Sequence, residues 1–153
     1  GKILFGKLES KEIDENSIVS NCAYVGSQTH IYNDTLRNNL TLWNEAITDT
    51  HIKEALERVN LLSFLSRIDE QVSDGSFSEG QKQRIGLIRA FLKGSSVVIF
   101  DEATANLDHN NATRIEHLLL SDPNITYITV THHLIKENEP YFDEIIRLGE
   151  GTE

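Results

Sequence analysis

Two adjacent carboxylates, Asp101 and Glu102, follow the apolar run Val97 to Phe100. Such a run predicts a buried strand, and packing alone gives a buried strand no reason to end in two acids. An aspartate at the carboxyl end of a parallel strand lies where such sheets bind ligands, and it can hold Mg²⁺ through water. The glutamate beside it can orient or deprotonate an attacking water. The alternative is that both acids only end the strand and cap the segment that follows.

A second candidate is Ser78-Glu79-Gly80-Gln81, which has the pattern S-x-x-Q. This pattern predicts a capping box, in which Ser78 and Gln81 each bond a free amide of a helix start. A helix start with a small residue at Gly80 also lets a phosphate approach free N–H groups, and the helix dipole favours it. The two interpretations are compatible.

A third candidate is the pair His132 and His133, which follows the predicted strand Ile125 to Val130. A histidine at the end of a strand can hydrogen-bond a phosphate. Adjacent residues of an extended chain point in opposite directions, and the pair has no cysteine or third histidine near it in the sequence. The pair therefore does not indicate a zinc site.

The first eight residues, GKILFGKL, match the phosphate-loop pattern G-x-x-x-x-G-K but place Leu8 where that loop needs Ser or Thr. The missing hydroxyl is the one that ligates Mg²⁺, and Ile3 to Phe5 are too apolar to wrap a phosphate. The sequence therefore predicts that these 153 residues contain no phosphate loop.

The surrounding elements alternate between strands and helices, which predicts an α/β fold with a mainly parallel sheet covered on both faces. Gly149 and Gly151 are expected to form a turn. We expect residues 1–29 and 94–153 to form the α/β core, with 30–93 as an inserted helical subdomain. The predicted strands are 1–5, 17–25, 96–100, 125–130 and 142–148, and the predicted helices are 34–40, one from Thr48, a helical turn or two over 61–68, one from Ser78 and one from near Asp108.

Composition narrows the functional class. The net charge is −10 and the pI is near 5.0, so the chain lacks the basic surface that a nucleic-acid-binding protein needs. No apolar run approaches the roughly 18 residues of a membrane span, and no signal peptide heads the chain. The sequence contains no methionine, so we expect it to be part of a longer protein.

Four features in this order, Gln28 after a strand, FSEGQKQR, VVIFDEATANLD and TVTHHL, resemble the C-terminal two-thirds of an ABC-type ATPase domain. The similarity extends over essentially the whole chain. It implies a partial P-loop NTPase (RecA-like) core whose ligands are ATP and Mg²⁺.

The resemblance implies roles for residues that serve the nucleotide of their own subunit. Asp101 would be the Walker B aspartate that holds Mg²⁺, and Glu102 the catalytic base. Gln28 would be the Q-loop glutamine, which touches Mg²⁺ and senses the membrane partner, and His132 the switch histidine.

The resemblance also implies a partner, a second ATPase domain that sandwiches nucleotide against the first. Ser78 and Gly80, with Gln81 completing the signature, would bind the γ-phosphate held by the opposing subunit. Asp108 would close the D-loop across that dimer.

The segment YVGSQTHIYNDTLRNNL is similar to that of exporters whose membrane and ATPase parts share one polypeptide. This implies a transmembrane domain upstream, contacted by the helical insertion, and a location at the cytoplasmic face of the cell membrane, with residues 1–153 themselves soluble. Two alternatives stay open: a soluble ABC-type ATPase that acts on nucleic acid or ribosomes, and a non-catalytic interaction or regulatory domain.

The sequence departs from the usual signature LSGGQ, because Phe77 replaces Leu and Glu79 replaces the first Gly. Glu79 brings a negative charge near a phosphate site unless its side chain points away. In this family the phosphate loop, its flanking strand and helix, and the adenine-stacking aromatic are expected upstream of Gly1. We therefore expect isolated residues 1–153 neither to hydrolyse ATP nor to bind it tightly, and to expose apolar sheet surface.

Overall fold

The computed structural model describes residues 1–104 and 106–148. Short 3₁₀ turns lie at Ser10–Glu12, Leu62–Arg67, Asp74–Ser76 and Glu139–Tyr141. The strands are β1 (Leu4–Phe5), β2 (Leu8–Glu9), β3 (Cys22–Val25), β4 (Asp34–Thr35), β5 (Gln71–Val72), β6 (Val97–Asp101) and β7 (Thr126–Val130), and the helices are α1 (Glu15–Asn21), α2 (Leu36–Thr41), α3 (Asp49–Arg58), α4 (Glu79–Lys93) and α5 (His109–Leu120).

The central sheet has the order β3-β6-β7, and both strand pairs are parallel. In its register Val25 lies beside Phe100, and Asp101 lies beside Val130. The carboxyl ends of all three strands therefore meet at one edge of the sheet. The α/β fold with a parallel sheet that the sequence predicts is confirmed.

The two faces of this sheet differ in burial. Val98 and Phe100 on one face are each 1% exposed, whereas Tyr24, Ile128 and Val130 on the other face are exposed. Among the described residues one face is therefore left uncovered, which differs from the sheet covered on both faces and matches the exposed apolar sheet surface expected of residues 1–153. Asp101 shares the exposed face with Ile99 and Val130, since side chains alternate along a strand.

Helix α4 packs against β3, α2 and α3. Its apolar side is fully buried at Ile85, Leu87 and Ile88, as the helical spacing of these residues dictates. Gly94 ends it in the left-handed conformation that a glycine adopts without strain. This packing fixes the start of α4 relative to the sheet.

The helices between β3 and β6 begin where the sequence predicts. Thr35 caps α2 by accepting a hydrogen bond from the Asn38 amide, and Thr48 caps α3 in the same way. Buried side chains of these helices and of the sheet form one continuous hydrophobic cluster. The division into a core of 1–29 and 94–153 and a helical subdomain of 30–93 stays a prediction.

The strand predicted over 17–25 is only partly correct, because Glu15–Asn21 is helical and β3 occupies only the last four residues. The Asp14 carboxylate accepts a hydrogen bond from the Ser17 amide and so caps the helix. The strand predicted over 1–5 is reduced to β1, which turns through Gly6 at φ 61° into β2.

The last predicted strand, 142–148, is wrong, since these described residues form no strand. Phe142 at the start of this segment lies against Tyr127 of β7, with ring centroids 6.0 Å apart. Ile146 and Leu148 are 74% and 90% exposed, so the apolar pattern at its end does not reflect packing against the sheet. The turn predicted at Gly149 and Gly151 lies outside the described residues.

Candidate functional site

Asp101 is the last residue of β6 and is half-buried. Its Oδ2 accepts a hydrogen bond of 2.7 Å from the Tyr24 hydroxyl on β3. That bond raises the pKa of Tyr24 above its ordinary value. The sequence reasoning missed Tyr24, although parallel register places it beside Ile99 and hence on the face that Asp101 shares.

Glu102 leaves the strand in an unusual conformation, with φ at 53°. Its amide still donates to the Val130 carbonyl at 3.0 Å, which ties it to the end of β7. Its Oε1 lies 2.9 Å from Nε2 of His132, and both side chains are accessible to solvent. Two residues that the sequence selects separately, 30 positions apart, are therefore in contact.

The start of α4 is a complete capping box. The Ser78 hydroxyl accepts from the Gln81 amide at 3.3 Å, and the Gln81 side chain accepts from the Ser78 amide at 2.9 Å. The predicted capping box is confirmed. A Cβ atom at Gly80 would lie 2.7 Å from the carbonyl oxygen of Asn106, so glycine is required here by the close approach of the segment that follows β6.

The charge of Glu79 is compensated locally. The Lys82 ammonium lies 3.0 Å from the Glu79 carboxylate and 2.7 Å from that of Asp74. The hydrogen bond to Asp74, followed by that to Glu79, raises the pKa of Lys82. The glutamate that departs from the usual signature thus forms an ion pair on the side of the helix.

Asp108 caps α5. Its carboxylate accepts from the Asn111 side-chain amide at 2.6 Å and from the Asn111 backbone amide at 3.0 Å. These hydrogen bonds, the side-chain one first, hold the pKa of Asp108 below its usual value. The Asp108 carboxylate is therefore engaged within its own helix.

Gln28 lies just beyond β3, at a groove of about 480 Å³ between the sheet, α2 and α4. His30, Leu42 and Arg89 also line this groove. In the described residues, no hydrogen bond joins Gln28 to Asp101. The structure thus brings Asp101, Glu102 and His132 to one sheet edge, while Gln28 lies at the groove beside it.

The residues predicted to hold Mg²⁺ offer hard oxygen donors, the Asp101 carboxylate and the Gln28 amide, which suit this ion. Within 1–104 and 106–148, no cluster of three or more His, Cys, Asp or Glu side chains is arranged to hold a metal. Mg²⁺ takes one or two protein carboxylates and completes its shell with water and phosphate oxygens.

Among the helices that the structure describes, none has both the length and the apolar character to cross a bilayer. A family model described as ABC transporter matches residues 1–105. A chain in the solved structure of a bacterial Atm1-family ABC exporter with ATP bound superposes with a TM-score of 0.77 at 22% identity, covering 86% of this chain and 24% of the exporter chain.

Three curated relatives show similar coverage. An ATP-dependent lipid A-core flippase of Francisella novicida is 30% identical over 88% of this chain and 24% of its own length. A probable ABC transporter ATP-binding/permease protein of Haemophilus influenzae is 31% identical over 91% of this chain and 26% of its own. A lactococcin-G-processing and transport ATP-binding protein of Lactococcus lactis is 31% identical over 99% of this chain and 22% of its own length. The chain thus spans about a quarter of the length of the curated relatives it matches.

Proposed function

The chain belongs to the ABC transporter family, and from that membership we propose that it is the C-terminal part of an ATP-hydrolysing domain that powers transmembrane export. The observation that carries this proposal is the 2.9 Å contact between Glu102 and His132 beside Asp101. An acid–imidazole pair at the carboxyl edge of a parallel sheet suits activation of a water for attack on a phosphate.

In this proposal each group at the sheet edge has one task. Asp101 holds Mg²⁺, which when bound neutralises charge on the phosphates of ATP. The Glu102 carboxylate accepts a proton from the attacking water, and His132, whose Nε2 contacts Oε1 of that carboxylate, fixes its orientation. Tyr24 restrains the Asp101 carboxylate through its hydrogen bond.

The start of α4 serves a second nucleotide in this proposal. Ser78 and Gly80 present a helix N-terminus, where free N–H groups and the helix dipole favour a phosphate. Because Lys82 forms an ion pair with Glu79, the negative charge of the extra carboxylate in this signature is compensated and repels a bound phosphate less. A second ATPase domain would supply the phosphate, and Asp108 would lie at that interface.

The groove beside Gln28 is the proposed contact with a transmembrane domain carried on the same polypeptide. Leu42, which lines this groove, is 48% exposed. Next to the lining residue His30 lie the rings of Tyr32 and Trp43, which contact each other and are 40% and 49% exposed. Exposed aromatic and aliphatic groups of this kind, gathered beside a groove, are typical of a protein contact. The full-length protein would then act at the cytoplasmic face of the cell membrane.

The test uses the complete polypeptide. Glu102→Gln keeps the size of the side chain but removes the base, so we expect turnover of ATP to fall more than about 100-fold while ATP binding is retained. His132→Ala should reduce kcat about tenfold or more. His133→Ala is the matched control, since in the described part of the chain that neighbouring histidine forms no ion pair with Glu102, and it should leave kcat within about twofold.

The outcomes separate the candidate functions. Unchanged turnover in Glu102→Gln would refute the assigned base. An unmodified protein that binds ATP without turning it over would favour a non-catalytic domain instead. Turnover stimulated by RNA or ribosomes, without any membrane-spanning part, would favour a soluble ATPase.

A further inference from the structure

Gln83 is a polar side chain that the proposed mechanism does not use, yet it is fully buried, at 0% exposure. It lies on α4 one turn after Gly80. A buried side-chain amide is costly unless its polar atoms are bonded, so its partners are informative. Both hydrogen-bond partners are backbone groups, in the loops that follow β3 and β6 at the carboxyl edge of the sheet.

The first partner is the segment after β6. The Asn106 amide donates to the Gln83 Oε1 at 3.3 Å. Asn106 lies between Glu102 and Asp108 in the chain. Its carbonyl oxygen is also the atom that a Cβ at Gly80 would strike, so the start of α4 contacts both the N–H and the C=O of this one residue.

The second partner is the segment after β3. The Gln83 Nε2 donates to the Ser27 carbonyl at 3.5 Å, and Ser27 directly precedes Gln28. One helical turn further on, a Cβ at Gly86 would lie 2.7 Å from the hydroxyl of Thr29. The spacing Gly80-x-x-Gln83-x-x-Gly86 therefore places one strip of α4 against both loops.

From this geometry we propose that Gln83 is a positioning residue that couples the Gln28 loop (residues 26–29) and the segment at Asn106–Asp108 to the start of α4. The inference rests on the proposed ATPase function. The Gln83 side-chain amide hydrogen-bonds both loops. Without it, a movement of one loop is no longer transmitted to the other loop through α4. Gln83 touches no reacting atom and acts only through the loops that it holds.

The experiment compares two variants in the complete polypeptide. Gln83→Met keeps an unbranched chain of similar length but removes both hydrogen bonds. Gln83→Glu keeps the acceptor for the Asn106 amide. The control Ile85→Val removes one buried methyl from the same helix and keeps both hydrogen bonds of Gln83.

Two readouts are recorded for each variant. Hydrogen exchange, followed by mass spectrometry without nucleotide in peptides that contain Asn106, should be about two- to tenfold faster in Gln83→Met, because the amide loses a net hydrogen bond. It should be unchanged in Gln83→Glu and in Ile85→Val. For ATP turnover, Gln83→Met should lower kcat about tenfold with KM within about twofold, since misplaced loops affect the chemical step.

The hydrogen-exchange result decides the inference even if the protein proves not to be an ATPase. Unchanged exchange near Asn106 in Gln83→Met would overturn it. Changed exchange with unchanged kcat would also overturn it, because the loops would then be held without consequence for catalysis.

An inactive unmodified protein with faster exchange in Gln83→Met would instead count against the proposed function alone. If Gln83→Met does not fold, faster exchange in Gln83→Glu relative to Ile85→Val would equally refute the assigned contact.

Discussion

The two glycines of α4 that approach other segments make a matched pair for one prediction. A Cβ at Gly80 would meet a backbone carbonyl oxygen, that of Asn106, at 2.7 Å. A Cβ at Gly86 would also meet an oxygen at 2.7 Å, but it is the side-chain hydroxyl of Thr29. The Thr29 oxygen can move if χ1 of that one side chain changes, whereas a backbone carbonyl moves only with its loop.

The size of the displacement follows from these distances. To bring the Gly80→Ala contact from 2.7 Å to ordinary van der Waals distance near 3.4 Å, the Asn106 carbonyl has to move by about 0.7 Å. A shift of about 1 Å in an active site costs about 100-fold in rate, so we expect kcat/KM to fall about tenfold. Overpacking of this kind also costs about 1–3 kcal/mol of stability.

The second variant, Gly86→Ala, should have a smaller effect. Alanine is favoured over glycine inside a helix by about 0.5–1 kcal/mol, which offsets part of the cost of turning the stiff Thr29 side chain away from its 2.7 Å contact. We therefore expect the melting temperature to fall less than in Gly80→Ala and kcat/KM to stay within about twofold. ATP turnover and thermal unfolding of the complete polypeptide measure both variants. If Gly80→Ala behaved like Gly86→Ala, the close approach of Asn106 would not constrain the site and the reasoning would be refuted.

Three further predictions concern stability, charge and nucleotide affinity. Burial raises the pKa of Glu116, so its contribution to stability is fully present below its unfolded pKa of about 4.3 and is lost as pH rises through the raised value. The melting temperature of Glu116→Gln relative to the unmodified protein should therefore increase with pH, and a pH-independent difference would contradict this. Lys82→Ala leaves the Glu79 carboxylate unpaired near a phosphate site, so KM for ATP should rise about threefold at low salt and less at high salt. The double variant with Glu79→Ala should return KM towards the original value, and failure to do so would exclude a charge effect. Isolated residues 1–153, which have no phosphate loop, should bind Mg-ATP only weakly in titration calorimetry. A low-micromolar affinity would disprove that expectation.

The sequence predicts local structure best where one short pattern decides it. Ser78 and Gln81 form the capping box that their spacing indicates, and Thr48 begins a helix as predicted. The strand predicted over 96–100 also matches β6, Val97–Asp101, to within one residue at each end. These features depend on residues within four positions of one another.

Features decided by residues outside the pattern itself were missed. The apolar pattern of 17–25 predicts one strand, but the Asp14 cap and its local hydrogen bond turn the first half into a helix. The apolar residues at 142–148 predict a strand, yet Leu148 is 90% exposed. The role of Gln83 was not predicted either, because its hydrogen-bond partners Ser27 and Asn106 lie 56 and 23 residues away in the chain.

The conformation of Glu102 explains how two adjacent acids can serve one site. On a regular strand, Asp101 and Glu102 would point to opposite faces of the sheet. The left-handed φ of 53° at Glu102 breaks that alternation while its amide remains bonded to Val130 at 3.0 Å. For a residue with a Cβ this conformation costs about 1–2 kcal/mol, and such strain persists where the surrounding structure holds it in place. It brings the carboxylate within 2.9 Å of His132, on the end of the neighbouring strand. The structure therefore places backbone strain at the residue to which the proposed mechanism assigns the proton transfer.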